Sequence, residues 1–287
     1  MDIAVIGSNM VDLITYIDRM PKLGETLEAL RFSIGCGGKG ANQAVAAAKL
    51  GSDVMILTKV GDDLFAENTL KNFKRYGINT DYVVAVKGVS SGVAPIFVDK
   101  SSQNSILIIK GANDNLSIED VDNAADAIKK CKLIILQLEI PLSVVYYAID
   151  FGAKNNIPVI LNPAPAVPNL DINYVCKCDF FMPNETELEI LTGLPVSNLE
   201  EILVAANLLI SKGLKNLIIT LGEKGAVWLD GKDIHHISPY RVNAIDTSGA
   251  GDAFIGCFAH YLVKTHDILK SLNMASAFSA YSVTGQG

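Results

Sequence analysis

The chain has 287 residues, a formal charge of −7 from 24 Lys+Arg against 31 Asp+Glu, 49% apolar residues and 19% charged ones. A chain of this length buries about three quarters of the surface it exposes unfolded, so it builds a large core without disulfides. Disorder is excluded, since it requires low hydrophobicity and high net charge. The acidic balance excludes nucleic acid as the expected partner, because phosphates require a basic stripe.

A mean hydropathy of +0.30 raises the question of a membrane. No run reaches the roughly 18 apolar residues of a spanning helix. The best stretch, 133–149, is interrupted by Gln137, Glu139 and Pro141. The start, Met1-Asp2-Ile3, lacks the basic region of a signal peptide. Cys36, Cys131, Cys176, Cys178 and Cys257 are an odd set, and Cys176 and Cys178 lack the CxxC spacing. His235, His236, His260 and His266 form no HExxH pattern. The cysteines read as small buried hydrophobes of a protein in a reducing cytoplasm.

In chain order, strands are predicted at 3–7, 54–60, 133–138, 158–161, 180–182, 216–220 and 226–229. Helices are predicted at 39–50, 64–76, 118–131, 142–155, 186–191, 199–212 and 250–264. Strands separated by helices of this length imply an α/β fold: a doubly wound, mostly parallel sheet flanked by helices. Segments 10–35 and 88–110 are β-rich without helical period and predict a small separate sheet acting as a lid. The core then comprises 1–9, 36–87 and 111–287.

The most specific segment is Asp246-Thr247-Ser248-Gly249-Ala250-Gly251-Asp252, between a strand-like run at 240–245 and a helix. Small residues let successive N–H groups at a helix start converge on an anion, which the helix dipole also attracts. Asp252 is there either an N-cap or a base for an attacking hydroxyl. A second glycine-rich stretch, Gly35-Cys36-Gly37-Gly38-Lys39-Gly40-Ala41-Asn42-Gln43, is either a tight turn or a close backbone approach to a ligand. It is no Walker A loop, since Gly40 follows Lys39, and Gln43 spoils GxGxxG. Asn184 and Glu187 form a capping-box pattern, or hold water around Mg²⁺ on nucleotide phosphates. Glu139 at the end of an apolar strand, and Asp12 among Val11, Leu13 and Ile14, are either exposed or paired with ligand hydroxyls.

Together these segments resemble the ribokinase-like (PfkB) family of ATP-dependent sugar kinases over essentially the whole chain. Gly37-Gly38-Lys39-Gly40-Ala41-Asn42 is similar to its sugar-binding motif, and Asp246 to Asp252 to its catalytic motif. Asn184-Glu185-Thr186-Glu187 matches its Mg-associated motif, and Thr220-Leu221-Gly222-Glu223-Lys224-Gly225 its nucleotide loop. Asn162-Pro163-Ala164-Pro165-Ala166 is a further landmark. The resemblance implies Asp252 as base, and Gly249, Ala250 and Gly251 as an anion hole. It implies Gly38, Lys39, Gly40, Asn42, Asp12 and Glu139 around the sugar. ATP would lie against Asn184, Thr220, Gly222, Gly225 and Gly251. It further implies K⁺ at Asp246 and Ser248 with the backbone near Ser282, Gly285 and Gly287, and a homodimer through the lid sheet. The family's members continue past the equivalent of Gly287 with the rest of the cation loop and a final helix.

Where ribose-specific members carry an Asn two residues before the pocket Asp, this chain has Met10. A thioether accepts only weakly and cannot donate to a sugar hydroxyl, which suits a pentose lacking one: 2-deoxy-D-ribose phosphorylated at O5. An apolar patch rejects an added hydroxyl by only about a hundredfold, so ribose remains the alternative acceptor. A non-catalytic sugar- or nucleoside-binding protein is the competing class.

Overall fold

Successive side chains of a strand point to opposite faces, so a run can be apolar throughout only when both faces are covered. The computed structural model, which describes residues 1–100 and 103–285, shows this in the first strand. Ile3 and Val5 enter one core cluster, while Ala4 and Ile6 enter the other. Val54 and Ile56 alternate likewise with Met55 and Leu57, and Leu133 and Ile135 with Ile134 and Leu136.

The strands are β1 Ile3–Ile6, β2 Met10–Tyr16, β3 Arg31–Gly37, β4 Val54–Gly61, β5 Val83–Val86, β6 Val93–Val98, β7 Asn104–Ile106, β8 Leu133–Leu136, β9 Val159–Leu161, β10 Phe180–Phe181, β11 Leu217–Thr220, β12 Ala226–Leu229 and β13 Ile234–Ile237. Nine of them form one sheet in the order β13-β12-β11-β10-β9-β8-β1-β4-β5. Every pairing from β11 through to β5 is parallel, and β12 and β13 add an antiparallel edge. The fold is the expected ribokinase-like, doubly wound α/β sheet. A separate four-stranded sheet, β3-β2-β6-β7, is built from the two β-rich segments. Cys36 and Gly37, assigned to the core from sequence, pair with Val11 and Met10 and so belong to this small sheet.

Two expectations are corrected. The helix read at 118–131 is two short ones, Ile118–Asn123 and Ala125–Ile128. Residues 240–245 form no strand; they are exposed, and the N–H groups of Ile245 and Asp246 donate to the Val283 carbonyl instead of to a neighbouring strand. The helix Ile268–Ser282 and strands β5 and β13 were not anticipated. Among the described residues no helix is long and apolar enough to cross a membrane. All five cysteines are free.

The helices Lys39–Lys49 and Ala250–Thr265 pack on the same face of the large sheet. Their contact is backbone-close at Gly256, where an added Cβ would lie 2.6 Å from both Ala46 Cβ and Gln43 O. One turn before Gly256 lies Asp252, and about one turn before Ala46 lie Asn42 and Gln43. Small residues at the crossing therefore press three polar side chains together near both helix starts.

Candidate active site

In the large sheet β1 lies between β4 and β8, so the strand order reverses there. The crevice outside the carboxyl ends at such a reversal is where open α/β sheets bind ligands. Ser8, just past β1, donates its hydroxyl to Glu139 Oε2 at 2.5 Å, and the Lys39 N–H donates to the same oxygen at 2.9 Å. Glu139 is thus buried three residues beyond β8 rather than ending it. Those two donors join both strand ends to the start of the helix Lys39–Lys49. Gly38, at φ +91°, caps that helix, and a Cβ there would fall 2.7 Å from Asn9 Cα. Gly40 packs as closely on Ser8. These two glycines have steric reasons of their own, independent of any ligand.

Met10 and Asp12 occupy the same face of β2, opposite Gly37 and Gly35. Met10 is only 2% exposed. Asp12 is half-buried rather than exposed, and its carboxyl is pushed up to about 6, first by burial and then by the nearby Glu139 charge. Two carboxylates therefore lie close together at this crevice.

Asp252, 7% exposed, is held at both oxygens. Asn42 Nδ2 donates to Oδ2 at 3.1 Å and Gln43 Nε2 to Oδ1 at 2.8 Å. It is not an N-cap: the helix Ala250–Thr265 begins at Gly249 in the left-handed region, with no side-chain cap. The Ala250 N–H makes a long 3.3 Å bond to Thr247 O. Apart from its chain neighbours and its own helix backbone, no described atom lies within 4 Å of a Cβ built on Gly251, so it faces open space. Burial pushes the Asp252 carboxyl up, while the Lys39 charge and the two amides oppose the shift.

This helix start borders a cleft of about 160 Å³. Gly249, Ala250, Gly251 and Asp252 line it together with Lys39, Asn184, Glu187 and Thr220. Asn184 and Glu187 form the full capping box of the helix Glu185–Thr192, as the sequence suggested, yet both also border the cleft. Burial raises the Glu187 carboxyl, and Lys39 is the cation that opposes this. Oxygen donors of this kind, exposed at Asn184 and buried at Glu187, fit a hydrated Mg²⁺. The lysine expected at the sugar thus works on both sides, through its N–H on Glu139 and its side chain in the cleft.

Gly222 begins the turn Gly222–Lys224 and does not itself line the cleft, whereas Thr220 two residues earlier does. Gly225 has a structural reason: its Cβ would fall 2.1 Å from the Ile237 carbonyl of the edge strand β13. The residues expected around K⁺ come together in part. Asp246 Oδ1 accepts from the Ser248 N–H, the Val283 carbonyl draws in 245–246, and the Ser282 hydroxyl donates to Ser279 O. Gly285 is exposed, and Gly287 lies outside the described residues. Sequence reasoning missed Ser8 and gave no role to Gln43 or Gln137. Their only signal was being polar in otherwise apolar or glycine-rich runs.

The family model described as pfkB family carbohydrate kinase matches residues 1–287. A protein named deoxyribokinase from Salmonella typhi is 64% identical over 287 residues, covering 100% of this chain and 94% of that one. A mouse (Mus musculus) protein named ribokinase is 38% identical, covering 99% of this chain and 90% of its own. Among solved structures, Arabidopsis thaliana ribokinase complexed with ribose and ATP superposes with a TM-score of 0.91 at 30% identity, covering 100% of this chain and 93% of that one. The chain belongs to the pfkB family of carbohydrate kinases.

Asp12 yields a signed prediction. Its folded carboxyl is pushed up to about 6, above the ordinary carboxylate range, so it adds stability at low pH that is lost as pH rises through about 6. In urea unfolding, Asp12→Asn should therefore gain on the wild type as pH is raised from 5 to 7.5. A pH-independent difference would show that Asp12 is not so perturbed.

Proposed function

We propose that this kinase transfers the γ-phosphoryl group of ATP to O5 of 2-deoxy-D-ribose, with Asp252 as the base. The observation that carries the reading is the place of Asp252: it lines the cleft on one side and binds Asn42, at the sugar-side helix start, on the other. A sugar hydroxyl reaching it would lose its proton to the carboxylate as the O–P bond forms and the bond to the ADP oxygen breaks. Burial raises the Asp252 carboxyl and so favours it as a base, while the Lys39 charge and its two amide donors oppose the shift. The N–H groups of Gly249, Ala250 and Gly251, at the positive end of their helix, would offset charge on the transferring group. Asp12 and Glu139 would accept hydroxyl hydrogens from the sugar. Asn184 and Glu187 would hold Mg²⁺ through water. When bound, that ion neutralises phosphate charge. K⁺ at Asp246, Ser248 and the backbone near Ser282 and Gly285 rests on the resemblance alone.

The choice of deoxyribose rests on buried Met10 beside Asp12 and on the relatives named deoxyribokinase. A phosphorylation assay across pentoses and nucleosides, with and without K⁺, tests it. We expect kcat/KM to be highest for 2-deoxyribose, and Asp252→Asn to lower kcat by about a hundredfold or more while the sugar still binds. A ribose preference would overturn the acceptor, and full turnover by Asp252→Asn the base. Met10→Asn should shift selectivity toward ribose by roughly tenfold or more, read as the ratio of the two kcat/KM values. An unchanged ratio removes Met10 from specificity.

The small sheet exposes Phe32 and Ile34 on one face, an apolar surface suited to a second copy of this chain. Sedimentation should give a dimer that Ile34→Lys weakens. A monomer at micromolar concentration would refute it. The free cysteines suit a reducing cytoplasm, and cell fractionation that places the protein elsewhere would refute that.

A further inference from the structure

Behind Asp252 runs a chain of buried amides. Gln43 and Gln137 are fully buried, and Asn162 nearly so. Gln137 Nε2 donates to Gln43 Oε1 at 2.6 Å. Gln43 Nε2 donates both to Asp252 Oδ1 at 2.8 Å and to Asn162 Oδ1 at 3.2 Å. Asn162 Nδ2 closes the chain on the Met182 carbonyl at 2.9 Å.

The direction of each amide follows from chemistry, because a carbonyl or carboxylate can only accept. Met182 O fixes the Asn162 amide group toward itself, so Asn162 Oδ1 faces Gln43. Facing two acceptors, Gln43 must present its NH₂ to both and turn its oxygen to Gln137. Gln137 must then donate. Its own oxygen is left buried and without a hydrogen-bond partner in the structure. A Cβ on Gly7 would fall 2.1 Å from that oxygen, so the end of β1 packs directly on the amide. The fold carries an unsatisfied acceptor there, which a structure built only for stability would avoid.

The two oxygens of Asp252 differ accordingly. Oδ1 is bound in the buried amide chain, whereas Oδ2 is shared with the part-buried Asn42. We propose that Gln43, oriented by Gln137 and Asn162, is the positioning residue of the base: it pins Oδ1 so that Oδ2 meets the acceptor hydroxyl. This rests on the reading of Asp252 as base. Gln43 touches neither sugar nor nucleotide in this scheme. Its loss should lower kcat without weakening substrate binding. The other charges acting on Asp252 and its cleft are Lys39, Glu139 and Glu187, none of which is removed by replacing Gln43.

The test measures kcat, both KM values and the pH dependence of kcat for Gln43→Met, Gln137→Met and Asp252→Asn. Gln43→Met should lose roughly 10- to 100-fold in kcat, since small misplacements of a reacting group cost that much. Its KM values should stay within about threefold of wild type, the mark of an interaction used in turnover and not in binding. Removing a donor to the carboxylate should also move the acid limb of kcat to higher pH. Gln137→Met leaves Gln43 in place but unoriented, and should show smaller changes in the same directions. A folded Gln43→Met with wild-type kcat and an unmoved acid limb overturns the proposal, as does a raised KM at unchanged kcat. If Gln43→Met does not fold, wild-type kcat and acid limb in Gln137→Met overturn it. Turnover by Asp252→Asn would refute the base itself. An inactive Asp252→Asn beside an unaffected Gln43→Met refutes only the positioning role.

Discussion

A carboxylate with only 7% of its surface exposed is the constraint around which this site is assembled. Burying an unpaired charge is costly, so the fold must supply donors at Asp252. It does so through two adjacent amides, Asn42 and Gln43, on the neighbouring helix. That neighbour can come close enough only because Gly256 meets an alanine-rich face. Close packing of small residues at the crossing thereby sets the polar contacts one turn away. The charge of Lys39, which lines the same cleft, completes the compensation.

The sheet places the rest. Because β1 lies between β4 and β8, its end and that of β8 open toward one crevice, and Ser8, Gln137 and Glu139 follow directly from those ends. Glu139 ties the crevice to the helix start through the Lys39 N–H, and Gln137 ties it to Gln43. The two faces of Asp252 are thus served by one strand reversal. The small sheet contributes Met10 and Asp12 from a strand that leaves β1 after only three intervening residues. A rigid core and a separate sheet meet at the proposed sugar site.

Much of this was legible in the residues. Apolar runs of strand length separated by helical periods gave the parallel sheet, and lack of helical period at 10–35 and 88–110 gave the second one. The element at 240–245 misled because Tyr240, Val242 and Ile245 look like a strand, yet pairing is a property of neighbours, and here the segment is held by Val283. Capping-box residues at Asn184 and Glu187 supported two readings, and the structure realises the cap while leaving both side chains at the cleft. Gln43 and Gln137 carried no pattern, because 94 residues separate them and their pairing exists only once the sheet has formed.

The sequence by itself determined the layered α/β class, the order of the glycine-rich and acidic motifs, and the kinase family those motifs resemble. Local periodicity and short-range spacing encode all three. Tertiary structure alone decided that Asp252 does not cap its helix, that burial and the nearby Glu139 raise the Asp12 carboxyl, and that a glutamine noticed for spoiling a glycine pattern holds the buried carboxylate. Each of these depends on desolvation and on partners far away in the chain, and neither is written in any local run of residues.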